Sequence, residues 1–199
     1  MNRKTSLILT FFLSIFLLTG CAVQKVAVYQ LPGFEPTKVD VITILPVADL
    51  RVDKNDKVSI DDVNSWMSNS LEKDLKKKGY KVNVISDRSL VANLSEDDLK
   101  GKDLDWLKRG LAPGYSKWIF IAGLNDVMSR LTFGSTGNAE VSGYFYDLES
   151  GVLVWHDKGV GKTGQGGLIG MAMKGMMSHD AVVYATMNLM ASFPKPPKK

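Results

Sequence analysis

A chain of 199 residues, 45% apolar and 23% charged, has the size and balance of a single folded domain and not of a disordered polymer. Its formal charge of +4 is too mild an excess to mark a nucleic-acid binder. One cysteine and two histidines rule out an internal disulfide and leave no plausible zinc ligand set, so no metal and no cofactor is expected and the fold must rest on its core.

In chain order, residues 1–6 carry Arg3 and Lys4 and no acid, and residues 7–18 form an apolar run without charge. A bilayer-crossing helix needs roughly 20 apolar residues, so a run this short reads as a cleavable export signal. The junction Leu18-Thr19-Gly20-Cys21 resembles the lipobox of bacterial lipoprotein precursors. The resemblance implies cleavage between Gly20 and Cys21, with a diacylglyceryl group on the Cys21 thiol and acylation of its freed amine. At about 0.8 kcal/mol per buried methylene, two or three acyl chains anchor a protein far better than one. Ala22 is not the aspartate that typically retains such proteins at the inner membrane, so in a cell with two membranes the outer one is expected, with the domain in the periplasm.

Residues 21–38 contain Leu31-Pro32-Gly33-Phe34-Glu35-Pro36 and are expected to be mostly a tether, with Val26 and Val28 as a candidate edge strand. Fully extended, such a tether reaches about 60 Å. Residues 39–193 are read as one domain and 194–199 as a disordered basic tail. Within the domain, residues 39–47 look like a strand buried on both faces. Ser59 and Asp62 then frame a capping box, before Val63, Trp66, Met67, Leu71 and Leu75 recur at helical spacing up to Gly79. Tyr80, Val82 and Val84 alternate as a second strand, and residues 95–110 form a helical region broken near Gly101. Residues 117–127 make a central third strand. Residues 138–147 and 152–157 form a hairpin about the turn at Gly151. A closing helix over 180–193 presents Val182, Val183, Leu189, Met190 and Phe193 before Pro194 stops it.

The order β-α-β-α-β-β-β-α predicts an α/β fold with α+β character, a mixed sheet packed by helices. With the opening ILPVADLR and the proline-ended last helix, it is similar to the TolB-N-like periplasmic domains of curli-secretion-channel-like and penicillin-binding-protein-activator-like lipoproteins. That resemblance implies a non-enzymatic scaffold or regulator of envelope secretion or cell-wall assembly, with an envelope protein as partner and a homo-oligomer as one form. One alternative is a subunit of an oligomeric outer-membrane channel. Another is a small-ligand binder or enzyme built on the carboxyl edge of the parallel strands, where Asp49, Arg51 and Asp126 would meet, against the plainer reading of those charges as a solvated ion-pair cluster that fixes the loop.

Residues 159–164 satisfy G-x-G-x-x-G after a predicted strand, yet no acidic residue follows Asp180 to hold a ribose. A Walker A loop fails as well, because His156 stands where its first glycine belongs. The glycines are therefore expected in a mobile loop. Residues 166–177 hold four methionines, and Met171, Met173 and Met176 make a candidate contact face, against the plainer reading of a core-packing helix start. His156 and His179 are expected at a strand end and a helix start. No nucleophile with an identifiable base is found, so no catalytic residue is assigned.

Overall fold

The computed structural model describes residues 25, 27–54, 58–101, 104–111 and 115–197, apart from the side chains of Thr132, Met171 and Lys174. Seven strands form one mixed sheet: β1 (Tyr29–Gln30), β2 (Val41–Ile44), β3 (Ala48–Asp49), β4 (Lys81–Val84), β5 (Trp118–Thr132), β6 (Gly134–Asp147) and β7 (Val152–Gly166). The spatial order is β1-β7-β6-β5-β2-β4, with β3 continuing beside β5. Pairing of β2 with β4 and β5 is parallel, and the meander β5-β6-β7 is antiparallel. Parallel crossovers followed by a meander are what the order of elements predicts.

Helix α1 (Ile60–Lys78) crosses from β3 to β4. Ser59 caps it by accepting from the Asp61 amide at 3.2 Å, in place of the capping box expected with Asp62. Val63, Met67, Leu71 and Leu75 are buried and Trp66 half-buried, and Gly79 ends the helix at a left-handed φ of 104°. The capping box forms instead at Ser95 and Asp98, opening α2 (Glu96–Lys100), which α3 (Asp105–Gly110) follows. Helices α4 (Gly167–Ala172) and α5 (Lys174–Met190) close the chain.

The sheet is covered on both faces. On one, Val63, Met67, Leu71 and Leu75 of α1 and Ala181, Val182, Ala185 and Leu189 of α5 share a core with Phe120, Phe145 and Trp155. On the other, Leu99 and Leu107 of the short helices meet Ile119, Ile121, Tyr144 and Tyr146. Phe193, expected on the last helix, lies past its end with its ring against Tyr80, Phe120, Phe145 and Trp155.

Three expectations change. Strand one is split by Pro46, which cannot donate to a ladder, into β2 and β3. The closing helix starts at Lys174, six residues early, so the methionine-rich segment is helical. The third change concerns residues 159–164, which continue β7 in register with β6 and form no loop. Gly159 and Gly161 are there because α5 lies directly on the strand: a Cβ on either would strike the carbonyl of Ala185 or Ala181. Small residues facing each other let helix and sheet backbones approach closely, which is why a nucleotide-like glycine pattern arises without a nucleotide site.

Residues 27–38 are also part of the domain and not a free tether. Leu31 and Phe34 pack against the core, with the Phe34 ring edge-on to Trp118 at 5.9 Å and to Phe145 at 6.1 Å. The edge strand lies at Tyr29–Gln30, while Val28 is exposed and Val26 lies outside the described residues. At the other terminus, the Pro194 carbonyl accepts from the Tyr80 hydroxyl at 3.1 Å and that of Phe193 accepts from Lys78 at 3.0 Å.

Candidate functional site

Gly20 and Cys21 lie outside the described residues, but the place where their segment joins the domain does not. The Lys25 ammonium sits 2.7 Å from the Asp157 carboxylate and donates to the carbonyls of Lys158 at 2.5 Å and Asn188 at 3.0 Å. Asp157 projects from β7 and its side chain is only 2% exposed. A charge buried so far must be paired and hydrogen-bonded. Besides Lys25, it accepts from the Ser192 hydroxyl at 2.5 Å and the Lys158 amide at 2.8 Å. Three separate parts of the chain, the N-terminal segment, β7 and the end of α5, therefore meet on one carboxylate.

No sequence signal pointed to this junction. Lys25 stands in an alternating stretch where a cation on an edge strand is unremarkable, and its partner lies 132 positions away by the numbering. The junction shortens the expected tether. Residues 22–24 are all that separate Cys21, the candidate anchor, from Lys25, a reach of about 14 Å at most over four residue steps.

At the carboxyl edge of the parallel strands, Asp49 and Arg51 do come together. The guanidinium grips both carboxylate oxygens, at 2.8 and 2.9 Å, and donates to the Val58 carbonyl at 3.1 Å. Arg51 is buried, and its side-chain hydrogen bonds, with its charge, hold the Asp49 carboxyl below the usual carboxylate range. Such a bidentate pair fixes the loop between β3 and α1. Asp126 stands exposed on β5, two residues beyond Leu124, the neighbour of Asp49 across the ladder. A cleft of about 360 Å³ opens beside the pair, lined by Asp49, Lys54, Arg88 and Asn93 among others, near the small end of ligand-site volumes.

The methionine face is only partly formed. Met176 is 54% exposed, Met173 half-buried and Met177 buried, while the side chain of Met171 is outside the described residues. His156 lies inside β7 and not at its end, stacked on Tyr144 at 4.6 Å, with Nδ1 3.1 Å from the Gly143 carbonyl. Burial holds its pKa below the ordinary value, so the ring is neutral at pH 7. His179 is in the second turn of α5, its ring edge-on to Trp66. Among the described residues, no group of three or more His, Cys, Asp and Glu side chains converges as a metal site.

The chain matches no family model and no curated protein. Its layout is similar to several solved structures. The PelC dodecamer from Paraburkholderia phytofirmans is 10% identical, covering 82% of this chain and 96% of that one with a TM-score of 0.46. Lipoprotein GNA1162 from Neisseria meningitidis is 13% identical over 69% and 94%, with a TM-score of 0.42. The LpoB C-terminal domain from Escherichia coli is 14% identical over 61% and 81%, with a TM-score of 0.33. At such identities the likeness is one of strand and helix arrangement alone.

Proposed function

We propose that the chain is a lipid-anchored envelope protein in which Cys21 carries the anchor and the domain acts as a non-enzymatic scaffold or regulator for a protein partner at the membrane surface. One observation carries the reading: the lipobox cysteine is only four residues from Lys25, which is locked onto a buried carboxylate of the domain. An anchor so placed holds the domain itself on the bilayer, where a long tether would have let it range. The partner surface is accordingly close to the membrane, and the outer membrane facing the periplasm is the expected location.

The ligand-binding alternative is less well supported, since both Asp49 oxygens are already taken by Arg51. Metabolic labelling with palmitate tests the anchor: the wild-type chain is expected to take up label and Cys21→Ser to take up none. A wild-type chain without label would refute the reading. For the scaffold role, a photo-crosslinking amino acid at the exposed Asp126 in intact cells is expected to capture one envelope protein reproducibly, whereas adducts with lipid alone would count against a protein partner there.

A further inference from the structure

The far ends of β5, β6 and β7 carry apolar side chains that stand exposed among the described residues. At the β5-β6 turn Phe133 is 84% exposed, and at the start of α4 Leu168 is 80% and Ile169 is 68% exposed. These are neighbours, because the Gly167 amide donates to the Phe133 carbonyl at 3.4 Å and Gly134 pairs with Gly166. Leu131 and Met176, each about half exposed, extend the same end, where the Met177 backbone lies over Gly137. Singly exposed apolar residues are ordinary, but a cluster at one tip marks a contact surface.

We infer that this tip docks shallowly into a bilayer leaflet containing anionic headgroups, beside the lipid anchor; the inference rests on the anchor reading above. Direction of the chain is the first argument. Tyr29 pairs with His156 and Gln30 with Trp155 in antiparallel register, so the N-terminal segment, followed backwards from Gln30, runs along β7 towards Gly166. Lys25 is held beside Asp157 and Lys158, and four more residues lead on to Cys21. The described part of the N-terminal segment is thus held midway along β7 and runs towards the end that carries the tip, with Lys158 eight residues, about 26 Å, from Gly166. At that end, Gly166 lies about 45 Å from the opposite β6-β7 turn at about 3.3 Å per residue along β7.

Charge is the second argument. Residues 127–139 and 159–179 hold Arg130, Lys162 and Lys174 and no carboxylate. Cations flanking an apolar tip complement anionic headgroups and disfavour a second copy of the same tip. Arg130 and Lys162 are exposed within the distal strand halves, and charges there suit a tip that rests at the interface better than hairpins that span the core.

The test uses the lipidated mature chain reconstituted into phosphatidylethanolamine–phosphatidylglycerol vesicles with brominated acyl chains. Phe133→Trp is the reporter and Ser150→Trp, in the exposed turn at the opposite end, is the control; each is read as a difference from the parent. A tip seated about 5–10 Å into the interface should lose roughly half of its added emission, and the control should lose none. Lipidated, vesicle-bound protein with both positions quenched alike or neither quenched would overturn the inference. So would a blue shift of Phe133→Trp with rising protein concentration in the absence of vesicles, which would place a second copy on the tip. Protein that lacks lipid by mass and stays off the vesicles would instead refute the anchor. Leu168→Trp is a second reporter should Phe133→Trp disturb the turn.

Discussion

The long strands β5, β6 and β7 pass through two regions that share one hydrogen-bonded ladder and the cover of α5 but differ in how much else is laid upon it. In the proximal half, Phe120, Tyr144, Phe145 and Trp155 are fully buried between α1 and α5 on one face and the short helices on the other. In the distal half, the same strands show Arg130, Leu131, Lys162 and Gln165 to solvent and end at Phe133. A register shift between Leu124 and Asp126 interrupts the β5-β6 ladder, and the core reaches past it to Val127 and Ala139 before the strands become exposed. The lesson is that ladder hydrogen bonds extend a sheet beyond what its core needs, and that stability and contact can then be assigned to different stretches of the same strands.

Substitutions should separate the two regions sharply. Phe193→Ala, which empties the junction of four rings, is expected to cost about 3–5 kcal/mol, read as a lower urea midpoint. Gly161→Val drives a side chain into the Ala181 carbonyl, and a loss of about 3 kcal/mol with altered near-ultraviolet dichroism is expected. If that variant were as stable as the parent, α5 could not lie where it is described. Lys25→Ala leaves Asp157 with two hydrogen bonds and no countercharge; because Lys25 is 35% exposed, about 2 kcal/mol is a fair expectation.

A smaller effect should come from pH. Folding holds the pKa of His156 below its ordinary value of 6.5, so the unfolded chain takes up the proton first. The stability contributed by the neutral ring is therefore present above pH 6.5 and declines as pH falls through that value. Urea midpoints should drop from pH 7.5 towards 5.5 in the parent and drop less in His156→Gln. A parent midpoint flat across this window would contradict the burial of the ring. The smallest change in stability belongs to the tip: Phe133→Ser should change the unfolding free energy by less than about 0.5 kcal/mol, since the side chain is 84% exposed.

Much of the proximal region is legible in the sequence because burial imposes periodicity. The spacing of Val63, Met67, Leu71 and Leu75, the apolar run at 118–122 and the punctuation at Gly79 and Gly151 are local signals of local structure. Legibility fails where the cause is distant. Nothing near Gly159 and Gly161 in the sequence says that Ala181 and Ala185 will press on them, so the glycines pass for a loop. Lys25 and Phe34 pass for a tether because the carboxylate and the rings that fix them come from far along the chain. The ion pair of Asp49 and Arg51 is legible in the sequence as a charge cluster that fixes the loop, whereas among the described residues Asp126 does not share hydrogen bonds with it in the way the strand order suggests.

The account depends most on the modification of Cys21, and the intact mass of the chain purified from membranes measures it directly. The predicted species begins at Cys21 and carries the added mass of a diacylglyceryl group and an amide-linked acyl chain. A species that retains residues 1–20, or one that begins at residue 21 with a free thiol, would contradict the account.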